Sequence, residues 1–121
     1  IGWYGAAHWW ARAQTGFPAS LQQVQVLLPT THSVMRSQLD RWLHQKGLHP
    51  QVVGEIEDSA LLETFGSTGL GIFPAALAAQ DALFKRSQVQ SCGQVAVGNF
   101  NLLASHLVQH CVNLFTIFGL N

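Results

Sequence analysis

Residues 24–74 read VQVLLPTTHSVMRSQLDRWLHQKGLHPQVVGEIEDSALLETFGSTGLGIFP, and this stretch decides the fold. Three short runs in it, at residues 24–28, 51–56 and 69–73, are rich in apolar residues and bounded by turn-forming residues. Such runs are typical of strands buried in a parallel sheet. The segments between them have the spacing of helices. Strands that alternate with helices predict an α/β fold with a parallel sheet.

The first helix of this stretch has the strongest pattern. Its apolar residues recur at helical spacing, and they are Met35, Leu39, Trp42 and Leu43. We expect Thr31 or Ser33 to cap its start and Gly47 to end it in a left-handed conformation. A shorter helix, capped by Asp58 or Ser59, is predicted to end at Gly66.

The regions beside this stretch predict two more helices. Residues 5–14 carry an apolar face of alanine and tryptophan, and Gly16 with Pro18 ends the pattern. Pro74 is expected to begin a helix over residues 75–83, because proline is tolerated in the first helical turn.

The composition predicts one modest domain that does not bind DNA by itself. The chain has 121 residues, of which 48% are hydrophobic and 10% are charged. So little charge suggests that an interface or a further part of the protein covers some of the surface. Six basic residues balance six acidic ones without a clustered basic face, and no helix-turn-helix can be located. The first residue is Ile1 and not Met, which predicts a fragment. Two cysteines form no disulfide framework, which favours a reducing compartment, the cytoplasm.

A hydroxyl-rich turn is the first candidate binding site. Thr30, Thr31 and Ser33 lie between a predicted strand and the start of a predicted helix. Backbone N–H groups and the positive end of the helix dipole favour an anion there. Ligands of parallel sheets bind at the carboxyl ends of the strands, where this turn lies. The alternative is that these hydroxyls only cap the helix.

No residue pattern predicts catalysis, a cofactor or a metal. The spacing of Gly66, Gly69 and Gly71 matches neither nucleotide-binding motif, so these glycines are expected to shape the backbone of a buried strand. His106 and His110 share a helical face, but a structural zinc site needs four ligands. A thiol enzyme remains an alternative, and it requires Cys92 or Cys111 beside a histidine in an open pocket.

Five phrases carry a resemblance to a known family. They are FPASL at residues 17–21, LLPT at 27–30, RSQLDRW at 36–42, GEIEDSALL at 54–62 and GIFP at 71–74. In this order they resemble the effector-binding domain of LysR-type transcriptional regulators, and within it the NhaR-like branch, which activates a sodium/proton antiporter gene. The resemblance covers residues 1–95.

The resemblance implies a sensor domain and not an enzyme. Family members have an N-terminal helix-turn-helix, absent here, and two α/β lobes like those of periplasmic solute-binding proteins. An effector binds between the lobes and alters how a tetramer holds DNA. This chain would be an incomplete two-lobed domain. The cleft positions that carry over are Thr30 and Thr31 after the first strand of the second lobe, and Gly69, Gly71 and Phe73 on or before a later strand. The effector would be a small anion or metabolite, or a cation by association with the antiporter branch.

The same resemblance divides the chain. Residues 1–23 are expected to end the first lobe and form the crossover, residues 24–91 to form the second lobe, and residues 92–121 to form the return segment. From Val95 to Asn121 there is no Lys, Arg, Asp or Glu, which predicts a frameshifted or divergent tail. The alternative is a buried interface helix with Leu103, Leu107, Cys111 and Leu114 on one face. For the whole chain, the alternative to a regulator is a fragment of a transport-type solute-binding protein.

Overall fold

The computed structural model describes residues 1–95. The strands and helices of this part follow one another as β1 Gly2–Gly5, α1 Ala7–Ala13, β2 Gln25–Pro29, α2 Val34–Lys46, β3 Gln51–Ile56, α3 Ser59–Ser67, β4 Phe73–Ala75, α4 Gln80–Ser87 and β5 Gln90–Gln94. Two short 3-10 helices, Ala19–Gln23 and Leu77–Ala79, lie in the connections before β2 and α4.

The strands form a mixed sheet. β2 and β3 pair in parallel, while β1 lies between β4 and β5 and is antiparallel to both. A parallel bridge between Val26 and Ile72 joins these two groups. There the Ile72 N–H donates to the Gln25 carbonyl at 2.8 Å, and the Leu27 N–H donates to the Ile72 carbonyl at 2.8 Å. Because Ile72 directly precedes β4, this bridge places the three-stranded group β4-β1-β5 beside the parallel pair β3-β2. The arrangement confirms an α/β fold with parallel strands.

Helices cover both faces of the sheet. Successive side chains of a strand point to opposite faces, and in β2 the apolar side chains point to both. Val26 and Leu28 belong to one core, and Leu27 between them belongs to another. The first core includes Ala13 of α1 with Leu39, Trp42 and Leu43 of α2. The second includes Leu62 of α3 and Leu83 of α4. Three layers result, and the helices that follow β2 and β3 lie on opposite faces.

Capping side chains begin α2 and α3, and a left-handed glycine ends α2. The Ser33 hydroxyl accepts a hydrogen bond from the Arg36 N–H at 3.3 Å, so Ser33 caps α2. Gly47 ends α2 with a φ of 68°, in the left-handed region that favours glycine. The Asp58 carboxylate caps α3 and accepts from the Ala60 N–H at 2.7 Å. α3 continues one residue beyond the predicted Gly66, to Ser67.

Two predicted elements after α3 are wrong in extent. The third strand was expected at residues 69–73, but β4 spans Phe73–Ala75, and of the earlier residues only Ile72 bridges to β2. Pro74 does not begin a helix. It lies in β4 opposite Trp3 of β1, and α4 begins at Gln80. The physical reason is the long-range pairing with β1, which the local pattern around Pro74 does not contain.

The structure places β1 inside the sheet. β1 is hydrogen-bonded between β4 and β5. The helix predicted at residues 5–14 is confirmed as α1, Ala7–Ala13. Across residues 1–95, every helix is too short or too polar to traverse a lipid bilayer. The expectations for the tail beyond Val95 lie outside the described residues.

Candidate functional site

A cavity of about 490 Å³ lies where β2 and β3 end. Pro29 and Ile56, the last residues of these parallel strands, pair with each other and both line it. The starts of α2 and α3 contribute Ser33 and Ser59, and β4 contributes Phe73. The cavity therefore occupies the edge at which parallel α/β sheets bind ligands.

The local sequence explains how this cavity is built. Each parallel strand is followed by a short turn and a capped helix, so two helix starts converge on one edge. Phe73 is 1% exposed, and its ring packs against α3 at Gly66, where any Cβ would overlap the ring. Small and apolar residues of the β4–α4 region also line the cavity, among them Ala76, Ala79 and Leu83. The cavity lining is thus largely apolar and includes the hydroxyl-bearing residues Ser33 and Ser59.

An ion pair forms the charged part of the wall. The Arg86 guanidinium on α4 donates to both carboxylate oxygens of Glu63 on α3, at 2.9 and 2.7 Å. The Ser87 hydroxyl donates to the same carboxylate at 2.5 Å. The hydrogen bond from Arg86 is the main cause that holds the pKa of Glu63 below its usual value, against the opposing effect of burial. Both Glu63 and Arg86 line the cavity, so their hydrogen bonds join α3 to α4 at the cavity wall.

The structure brings four of the six predicted site residues to the same end of the sheet. Ser33 and Phe73 line the cavity. Thr30 directly follows Pro29 and is half-buried, and Thr31 is exposed in the turn. The Ser33 N–H donates to the Thr30 carbonyl at 3.0 Å, which closes this turn. The Ser33 hydroxyl caps α2, as one of the two caps that the sequence predicted.

Gly69 and Gly71 lie elsewhere. A Cβ on Gly71 would lie 2.8 Å from the carbonyl oxygen of Gln25, the first residue of β2, so Gly71 sits at the opposite end of that strand from Thr30. The Gly69 carbonyl accepts a hydrogen bond from the Trp9 indole N–H at 2.5 Å, and its φ of 97° requires glycine. Gly69 and Gly71 therefore lie away from the hydroxyl-rich turn, Gly69 beside Trp9 and Gly71 against the backbone of β2.

Sequence reasoning missed several cavity residues. Ile56, Glu57 and Ser59 line the cavity from the end of β3 and the start of α3, and Arg86 lines it from α4. A signal for the first three existed, because residues 51–56 were a predicted parallel strand whose carboxyl end should meet that of β2. Arg86 had no such signal, since its place depends on how α4 packs against α3.

The thiol-enzyme alternative finds no support at Cys92. This residue is 6% exposed, and burial raises the pKa of its thiol to about 12. A nucleophilic cysteine needs a lowered pKa and access to substrate. Residues 1–95 contain no group of three or more His, Cys, Asp or Glu side chains placed to hold a metal ion. His106, His110 and Cys111 lie outside the described residues.

Comparison with known proteins gives a family. The model of the LysR substrate binding domain matches residues 4–110. The chain is similar to the transcriptional activator protein NhaR of Escherichia coli (strain K12), with 32% identity over 77 residues. The match to NhaR of Shigella flexneri has the same identity and length. Each match covers 62% of this chain and 26% of the relative, so the matched part spans about a quarter of the relatives' length. No solved structure matches. Because the family model covers most of the chain, from residue 4 to residue 110, this protein belongs to the LysR substrate-binding domain family.

Proposed function

We propose that this chain is the effector-sensing regulatory part of a LysR-type DNA-binding transcriptional regulator. The observation that carries the proposal is the cavity at the ends of β2 and β3, which Ser33 and Phe73 line, in a chain of this family. Both relatives are named transcriptional activators, which favours a regulator over a transport-type solute-binding protein.

The described residues act in this proposal as one lobe of a two-lobed domain like a periplasmic solute-binding protein. Residues 24–91 form the core of the second lobe, residues 1–23 lead into it from the first lobe, and residues 92–121 lead back. The cavity is formed by strand ends and helix starts, so the first lobe would close over it. β1 enters the sheet of the second lobe as an antiparallel strand, which is compatible with a crossover from a neighbouring lobe.

The proposed effector is a small molecule with an apolar part and a polar or anionic group. The apolar part would contact Phe73, while the polar group would meet Thr30, Thr31 and Ser33 near the start of α2. We assign Gly69 and Gly71 to backbone geometry and not to direct contact. Ligand binding would shift an existing equilibrium between open and closed lobes by its difference in affinity for the two states.

The wider role of the whole protein follows from the family as part of the same proposal. DNA would be bound by a helix-turn-helix domain outside this chain, in a homotetramer in the cytoplasm, without enzymatic activity. The target would be a sodium/proton antiporter gene, as in the NhaR-like branch. Sodium ions are therefore one candidate effector beside organic metabolites.

A ligand screen on the full-length protein tests this function. Thermal unfolding is followed with a panel of small organic acids and neutral metabolites, and with sodium chloride against potassium chloride at equal ionic strength. A ligand that binds only the folded state raises the midpoint of unfolding in a concentration-dependent way. For the compound that raises the midpoint most, we expect the increase to be smaller in Thr31→Val than in the unmodified protein.

The matched control is Thr15→Val, because Thr15 is exposed in the turn after α1 and does not line the cavity. The control should respond like the unmodified protein. An unchanged response in Thr31→Val contradicts the assignment of the turn to effector binding.

A further inference from the structure

Arg36 is connected to both ends of the hydroxyl-rich turn. Its guanidinium Nη1 donates to the Pro29 carbonyl at 2.9 Å, directly before Thr30. Its backbone N–H donates to the Ser33 hydroxyl at 3.3 Å, at the end of the turn. One residue of α2 therefore fixes the chain where it leaves β2 and where it enters the helix.

The same guanidinium also reaches the neighbouring strand. Nη1 donates to a Glu55 carboxylate oxygen of β3 at 3.0 Å, and Nε donates to Asp40 of α2 at 2.9 Å. The side chain of Arg36 is only 13% exposed, whereas those of Asp40 and Glu55 are about half exposed, at 53% and 47%. Burial lowers the pKa of Arg36, but the hydrogen bonds to Asp40 and Glu55 and the negative charges of these two carboxylates together outweigh burial and raise it, so the guanidinium stays charged.

We infer that Arg36 is a positioning residue, which holds the turn of Thr30, Thr31 and Ser33 in the geometry that receives the effector. This inference rests on the proposed function and deepens it. Arg36 does not line the cavity, and its guanidinium acts through the carbonyl of Pro29, which does, and through Glu55 of β3. The bond to the Ser33 hydroxyl comes from the backbone N–H, so it remains in variants of the Arg36 side chain. A planar fork with several fixed N–H donors can hold a carbonyl and two carboxylates at once, which a lysine ammonium cannot reproduce.

Backbone hydrogen exchange of the full-length protein without ligand tests the inference. The Ser33 N–H donates to the Thr30 carbonyl, so its exchange rate reports how often the turn opens. We expect Arg36→Met to speed exchange in peptides that span residues 28–38 about tenfold while peptides of β1 and β5 stay unchanged. Arg36→Lys should restore part of the protection. The control is Arg41→Met, because Arg41 is an exposed arginine on the same helix.

Two results would overturn the inference. One is an unchanged exchange rate at residues 28–38 in Arg36→Met. The other is an equal increase in every part of the sheet, which indicates a general loss of stability and no specific role at the turn. Because no ligand is present, this measurement gives its answer whether or not the cavity binds an effector, and the ligand screen tests that separately.

Discussion

The ring of Phe73 occupies the space that Gly66 leaves open on α3. Gly66 is buried in the helix, and a Cβ there would overlap three atoms of the ring. The same ring forms part of the cavity wall. The distance between α3 and β4, and with it the shape of the proposed effector site, therefore depends on a residue without a side chain.

Gly66→Ala is expected to destabilise the protein. Overpacking a core costs about 1–3 kcal/mol, and overlap with three ring atoms favours the upper end. Alanine is preferred to glycine inside a helix by about 1 kcal/mol, which offsets part of the cost. Urea unfolding should therefore show a net loss of about 1–2 kcal/mol. Adding Phe73→Leu gives the overlapping methyl room, so the double variant should be more stable than the sum of the single changes predicts. Strict additivity would contradict this contact.

Tyr4→Phe is expected to stabilise the protein. Tyr4 is 0% exposed, and its hydroxyl finds no hydrogen-bond partner within residues 1–95. A buried polar group without a partner is costly, so its removal should raise the free energy of unfolding by about 1 kcal/mol. The matched comparison is Tyr4→Leu, which also removes the ring contact with Phe73, at 6.2 Å between centroids, and should lower stability. A loss of stability in Tyr4→Phe would reveal a hydrogen bond to the hydroxyl.

The Glu63–Arg86 pair predicts a loss of stability in acid. Arg86 lowers the pKa of Glu63 in the folded protein below the ordinary value of 4.5. A lowered folded-state pKa means that the contribution is fully present above pH 4.5 and is lost as the pH falls through the folded-state pKa. When urea unfolding is measured from pH 7 downward, the free energy of unfolding should fall less in Glu63→Gln than in the unmodified protein. Asp81→Asn, an exposed change on α4, serves as the control. Equal losses in the unmodified protein and Glu63→Gln would contradict a stabilising pair.

The parts of the fold with local causes could be predicted from the sequence. β3 has the predicted bounds Gln51–Ile56, and α2 lies between the expected cap at Ser33 and Gly47. These elements are decided by apolar spacing, capping side chains and a left-handed glycine. β1 and β5 were missed because each is short and contains glycine, and because they become strands only by pairing with each other and with β4.

The site was predictable only in part for a related reason. The Thr30–Ser33 turn follows from its place between a strand and a helix, and Phe73 followed from the family resemblance. The separation of Gly69 and Gly71 from that turn depends on the direction in which the chain enters the sheet at Ile72. The hydrogen bonds from Arg86 to Glu63 and from Arg36 to Glu55 depend on packing between segments distant in sequence. No residue spacing in the sequence predicts such packing.

Effector binding in the cavity is tested most directly by a hydrogen-exchange footprint on the full-length protein. The compound used is the one that raises the unfolding midpoint most in the ligand screen. We predict that it slows exchange in three segments that line the cavity, residues 28–38, 56–63 and 73–79, and leaves β5 unchanged. Protection confined to other parts of the chain, with none in these three segments, would contradict the assignment of this cavity as the effector site.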